Sequence, residues 1–128
     1  MDTSKILVVE DDLFLRELYT DIVSGEGYSV ESAIDGEDAL GKMKIGGYDL
    51  VLLDIIMPKM DGLSVMKQMQ KNPPVAPNKY VVFLTNLDKD EEIKTALQLG
   101  NGYLIKSQIT PGSLIEEIKI YLEKSKQP

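Results

Sequence analysis

Four consecutive apolar residues, Leu50-Val51-Leu52-Leu53, constrain this chain more than any other stretch, because such a run leaves no face of a strand for water. It reads as a strand covered on both sides, the usual state of a central strand in a parallel sheet. The run ends on Asp54, with Pro58 and Asp61-Gly62 close behind. In open α/β sheets the ligand crevice lies beyond the carboxyl ends of the strands, so Asp54 is expected at its mouth. A lone strand-ending Asp is more often a solvated cap or turn residue, so its weight depends on what the other strands bring beside it.

Apolar and polar stretches alternate along the rest of the chain. Residues 6–9 form a first strand that stops at Glu10-Asp11-Asp12. Asp12 is a suitable N-cap for a helix to about Val23, with Leu15, Leu18, Ile22 and Val23 at helical spacing and Gly25 and Gly27 closing it. Residues 28–33 read as a short strand, Asp35-Gly36 as a turn, and 37–44 as a helix turning Ala39, Leu40 and Met43 inward. After the central strand, Gly62 leads into a helix with Leu63, Val65, Met66 and Met69 on one broad side. The Pro-rich stretch 71–79 reads as a loop at the end of the sheet away from Asp54. Residues 80–84 form a fourth strand running into Thr85-Asn86. Residues 89–99 form a helix with Ile93, Ala96, Leu97 and Leu99 inward, and 103–105 a fifth strand ending at Lys106. Thr110 caps a last helix with Pro111 at its first position and Leu114, Ile115, Ile118, Tyr121 and Leu122 on its buried stripe. Five strands alternating with five helices imply right-handed crossovers and a doubly wound parallel sheet covered on both faces.

Composition narrows the chemistry. The 128 residues suit one domain. With 14 basic and 21 acidic residues the net charge is −7, which argues against nucleic acid or an anionic membrane as a partner and suits a site that collects a divalent cation. There is no cysteine and no histidine, so disulfides, thiolate metal sites and imidazole chemistry are excluded. Without an apolar leader or a stretch of membrane-spanning length, the expectation is a soluble cytoplasmic protein.

Four strands end in residues able to do chemistry: Glu10-Asp11, Asp54, Thr85 and Lys106. Parallel strands deliver all of them to one edge of the sheet. Crowded carboxylates repel one another, and a hard cation such as Mg²⁺, which takes oxygen ligands and keeps several waters, relieves the repulsion. A lysine opposite them balances charge and can bind an anion, and a threonine hydroxyl can hydrogen-bond a phosphoryl oxygen. The set describes a carboxylate that attacks a phosphoryl group in line. Individually, Thr85 is a strand-end hydroxyl, Lys106 a surface amine, and Glu10 and Asp11 acids that favour a helix start.

From Lys5 to about Glu123 the chain resembles the receiver domain of two-component response regulators. The matching motifs are residues 6–12, Asp49 to Asp54 with Met57-Pro58 and Asp61-Gly62, then Thr85, Tyr103 and Lys106. The resemblance implies a single flavodoxin-like domain with strand order 2-1-3-4-5. It implies that Asp54 accepts a phosphoryl group from a phosphohistidine on a sensor histidine kinase or histidine phosphotransferase. Asp11 and Asp54 would bind Mg²⁺ directly, Glu10 through water, and the backbone carbonyl of Ile56 would complete the protein's share of the shell. Lys106 would contact the phosphoryl group, Thr85 would swing toward it, and Tyr103 would follow inward. The switched surface would comprise the fourth helix, fifth strand and last helix. No turnover enzyme is implied beyond self-phosphorylation and self-dephosphorylation, since a phosphohydrolase of this type needs a second acid where Ile56 stands.

Two positions depart from the family pattern. Ser107 follows Lys106 where a proline joined by a cis bond is usual; a non-proline cis bond costs roughly 2.5 to 4 kcal/mol, which weighs toward trans without settling it. Asn86 replaces a small residue after the threonine, where it would tune access by narrowing the way to the phosphoryl group and slowing hydrolysis, or would instead help to position water. Leu13 and Phe14, in the first turn beside the acidic end, are expected to be partly exposed and to offer a docking surface for the donor. The alternatives are a receiver-like interaction scaffold that is never phosphorylated, and a fragment of a longer response regulator.

Overall fold

The computed structural model describes residues 3–86 and 90–127. Strands and helices alternate as β1 (Lys5–Val9), α1 (Leu13–Gly25), β2 (Ser29–Ala33), α2 (Gly36–Ile45), β3 (Leu50–Asp54), α3 (Gly62–Lys71), β4 (Tyr80–Thr85), α4 (Asp90–Leu99), β5 (Gly102–Ile105) and α5 (Pro111–Ser125). The five strands form one parallel sheet in the order β2-β1-β3-β4-β5. Lys89, the expected first residue of the fourth helix, lies outside the described residues.

The apolar runs are continuous because each strand serves two cores. Leu7, Val9, Val51, Leu53, Val81 and Phe83 pack under α2, α3 and α4, against Ala39, Met43, Val65, Met69 and Ala96. The alternate residues Ile6, Val8, Leu50, Leu52, Val82 and Leu84 pack under α1 and α5, against Tyr19, Val23, Leu114, Ile118 and Leu122. Full burial of one such aliphatic or aromatic side chain is worth about 1.5 to 3 kcal/mol, so the registered strands hold the strand-end side chains on a rigid base.

Side-chain caps set where the helices begin. Asp12 Oδ1 accepts from Leu15 N–H at 2.9 Å and Asp61 Oδ1 from Ser64 N–H at 2.7 Å, while Thr110 and Ser113 cap α5 reciprocally. Two helical positions differ from the periodic reading. On α1 the inward row is the partly buried Leu15 with the buried Tyr19 and Val23, spaced four apart; Leu18 is 39% exposed, and Tyr19 takes the inward place. On α4, Leu97 is turned out and 52% exposed, because Ala96 lies against Phe83's face of the sheet and the next position points away.

The Pro-rich segment 71–79 does lie at the end opposite Asp54, where a parallel bridge between Gly46 and Ala76 ties it to the loop after α2. At the other end, the Lys106–Ser107 peptide is trans, and the chain turns through a short 3₁₀ segment, Lys106–Gln108, before α5.

Candidate functional site

Four of the five strands, β1, β3, β4 and β5, contribute at their carboxyl ends. Val9 is paired with Leu53 and Asp54 with Leu84, so Glu10, one residue past β1, stands beside the end of β3. Thr85 is paired with Ile105, which sets Lys106 one residue past it on the outer side. The result is a cavity of about 260 Å³ lined by Glu10, Asp11, Asp12, Leu15, Asp54, Ile56, Thr85, Asn86 and Lys106.

Charge in this cavity is unevenly matched. Lys106 Nζ lies 2.7 Å from Glu10 Oε2 and donates to Asp54 Oδ2 at 2.8 Å, and all three side chains are under 10% exposed. One ammonium therefore serves two buried carboxylates. Burial raises the pKa of Asp54 to about 7; the Lys106 hydrogen bond opposes the rise and the neighbouring Glu10 charge adds to it. For Lys106 burial acts to lower the pKa, but the two carboxylates prevail and hold it above the ordinary lysine value.

Asp11 is exposed at the rim, and one carboxylate oxygen from each of Glu10, Asp11 and Asp54 lies within 4.8 Å of the others. Glu10 Oε1 accepts from Asp12 N–H at 3.3 Å, whereas Glu10 Oε2, although close to Lys106, has no aligned donor. Three carboxylates, one with a poorly satisfied buried oxygen, in a cavity large enough for water fit a hard divalent cation that keeps part of its water shell.

Local backbone geometry supports this edge. Gly62 N–H donates to the Ile55 carbonyl at 2.7 Å, and a Cβ at Gly62 would collide with the Asp54 carbonyl oxygen. This close approach is the physical content of the Asp61-Gly62 pair. Lys59 sits at φ 69°, in the left-handed region, with its ammonium 3.6 Å from Asp35 and 3.9 Å from Glu37.

Of the remaining residues singled out in the sequence, Ile56 borders the cavity with its side chain 59% exposed, and Asn86 lines the rim. Leu13 and Phe14 are 60% and 73% exposed. Tyr103 is half-buried, paired with Phe83 across the strands and packed against the core beneath α4. Thr85 is buried, and its hydroxyl donates to Glu92 Oε1 of α4 at 3.2 Å. Two contributors were not read from the sequence: Glu92, and Arg16, whose Nη1 donates to the carbonyl oxygens of Glu10 at 2.9 Å and Asp11 at 3.3 Å. Neither carries a strand-end signal; Arg16 acts from α1 and Glu92 from α4.

Fold and pocket together define a doubly wound α/β module whose strand-end aspartate faces a lysine and two further acids. A family model of the response regulator receiver domain matches residues 6–119. The chain belongs to that family, the receiver domain of two-component response regulators. It is 39% identical to a chemotaxis protein CheY of Treponema pallidum over 80% of this chain and 72% of that protein. It is also 36% identical to a transcriptional regulatory protein CpxR homolog of Haemophilus influenzae, over 98% of this chain and 53% of that protein. The chain thus spans about half the length of the first curated relatives it matches. Among solved structures it is similar to the response regulator TrrA from Thermotoga maritima in complex with Mg²⁺–BeF, with a TM-score of 0.78, 33% identity, and 93% of this chain and 99% of that chain covered. Among the described residues no helix is long and apolar enough to cross a membrane.

Proposed function

We propose that Asp54 is the phosphoacceptor of a single receiver domain and that its donor is a phosphohistidine on a sensor histidine kinase or histidine phosphotransferase. The observation that carries this reading is Asp54 itself: a buried carboxylate 2.8 Å from a lysine ammonium, with the Glu10 and Asp11 oxygens close enough to share a cation. One carboxylate oxygen attacks phosphorus in line, the P–N bond to the donor imidazole breaks, and the imidazole leaves with the bonding pair and takes up a proton. The product is an aspartyl phosphate and a neutral histidine.

Asp11, Asp54 and the Ile56 carbonyl would hold Mg²⁺, with Glu10 acting through water; when bound, the ion spreads the charge of the transferring group. Lys106 shares that task by trading its Asp54 contact for a phosphoryl oxygen. Thr85 leaves Glu92 to hydrogen-bond the phosphoryl group, and Tyr103 follows inward. Asn86 at the rim tunes the approach of water. The readout passes to the surface of α4, β5 and α5, a bistable element biased by one added charged group. The exposed pair Leu13 and Phe14 offers an apolar seat for the donor's helices. Activity is confined to the domain's own phosphorylation and dephosphorylation, in the cytoplasm.

Incubation with acetyl phosphate and Mg²⁺, read by intact mass, tests the reading. One added phosphoryl group is expected, lost on chelation and absent in Asp54→Asn. A folded protein that gains nothing from either acetyl phosphate or a phosphohistidine donor would overturn it and leave an interaction scaffold. For the docking pair, transfer from a phosphohistidine protein should slow in Leu13→Ala/Phe14→Ala while acetyl phosphate labelling stays unchanged.

A further inference from the structure

Arg16 is the only arginine in the chain, and its guanidinium is used on backbone carbonyls at the junction that carries Glu10 and Asp11. Among the described residues it forms no salt bridge. Its Nη1 instead reaches back from α1 to two neutral acceptors, the Glu10 and Asp11 carbonyls. These are consecutive residues of the β1–α1 junction, and both offer a carboxylate oxygen to the candidate cation site.

At Glu10 the backbone and Oε1 are hydrogen-bonded, and Oε2 lies against the Lys106 ammonium without an aligned donor. Its N–H donates to the Ala33 carbonyl at 3.2 Å, its carbonyl accepts from Arg16, Oε1 accepts from Asp12 N–H, and Oε2 faces Lys106. Asp11 differs, since it lies beyond the strand pairing and its carboxylate is exposed. The direction of that carboxylate follows from the peptide planes on either side of it, and Arg16 bonds the carbonyls of both. We propose that Arg16 is a positioning residue for the cation site: it fixes the two peptide planes flanking Asp11, so that the Asp11 and Glu10 carboxylates converge on Asp54. The proposal rests on the phosphoacceptor reading above and names a residue which that reading does not use.

Charge and positioning predict opposite signs here, which makes the idea decidable. A positive side chain near the site opposes a divalent cation, so its removal should tighten binding if charge is all that matters. If Arg16 orients the ligands, its removal should loosen binding, as loss of partners behind metal ligands typically does by about tenfold or more. Methionine keeps most of the apolar stem and deletes the donors.

Mg²⁺ titration of the metal-free protein by calorimetry separates the two. Arg16→Met is expected to weaken Mg²⁺ binding about tenfold, and Arg16→Lys, which keeps a donor on a similar stem, to recover part of the loss. Amide exchange in the absence of metal should show the Asp12 N–H less protected in Arg16→Met. A folded Arg16→Met or, should that variant not fold, a folded Arg16→Gln that binds Mg²⁺ as tightly as the parent or more so overturns the positioning role alone. Failure of the folded parent to bind Mg²⁺ overturns the cation site as well, and is seen before any variant is made.

Discussion

Asp54 carries the strongest prediction at the scale of single residues. Its pKa is raised to about 7 against an ordinary aspartate value of 3.8, so the folded state binds this proton more tightly than the unfolded chain does. The stability contributed by that proton is fully present below about pH 4 and is lost as the pH rises through 7. At roughly 1.4 kcal/mol per pKa unit, the ionised Asp54 costs the fold up to about 4 kcal/mol at pH 8. Asp54→Asn should therefore stabilise the protein by a few kcal/mol at pH 8 in urea unfolding, with the gain shrinking toward pH 5; a gain independent of pH would contradict the account. Lys106→Met should act in the opposite direction. It leaves Glu10 and Asp54 buried without a cation, a loss of about 3 to 5 kcal/mol near neutrality. That loss should ease at low pH as Asp54 takes up its proton.

Among elements, the close approach of α3 to β3 and the hydrogen bond between β4 and α4 hold the pocket. Gly62 brings the first turn of α3 against the Asp54 carbonyl. Gly62→Ala forces these backbones apart and should cost about 2 kcal/mol or more, beyond the small gain a helix makes from alanine. Mg²⁺ affinity should fall with stability in this variant, because the displaced backbone belongs to the strand that carries Asp54. Across the pocket, the bond from Thr85 to Glu92 holds the hydroxyl toward α4. Glu92→Ala removes an acceptor worth about 0.5 to 1.5 kcal/mol. Labelling of Asp54 by acetyl phosphate should accelerate a few-fold in that variant, and an unchanged rate would show that Thr85 reorientation does not limit the step.

Taken whole, the molecule places its acids and its ammonium on one edge of a sheet packed on both faces, so cation binding and global stability should be linked. A ligand that binds only the folded state adds about 2.7 kcal/mol at a hundredfold excess over its Kd. Mg²⁺ should accordingly raise the thermal midpoint by several degrees in the parent, and chelation should reverse the rise. Asp11→Ala removes an exposed carboxylate that supports no packing; it should melt at the parent's metal-free temperature and lose most of the response to Mg²⁺. An equal rise in parent and variant would assign the effect to general ionic strength.

Much of this architecture is legible along the chain, because strand and helix periodicities and cap residues are local properties. The run from Leu50 to Leu53 demands a covered strand, the alternation of elements demands parallel crossovers, and together they bring Glu10, Asp54, Thr85 and Lys106 to one edge. Helical spacing also located the inward faces to within one residue. It could not rank Leu18 against Tyr19, or Leu97 against Ala96, because that ranking depends on the shape of the sheet surface beneath. Only the tertiary structure decided the electrostatics: a single ammonium shared by Glu10 and Asp54, Arg16 spent on carbonyls instead of carboxylates, and Thr85 turned to Glu92. Hydrogen bonds and ion pairs are set over a few ångströms between residues far apart in sequence, and no periodicity along the chain encodes those distances.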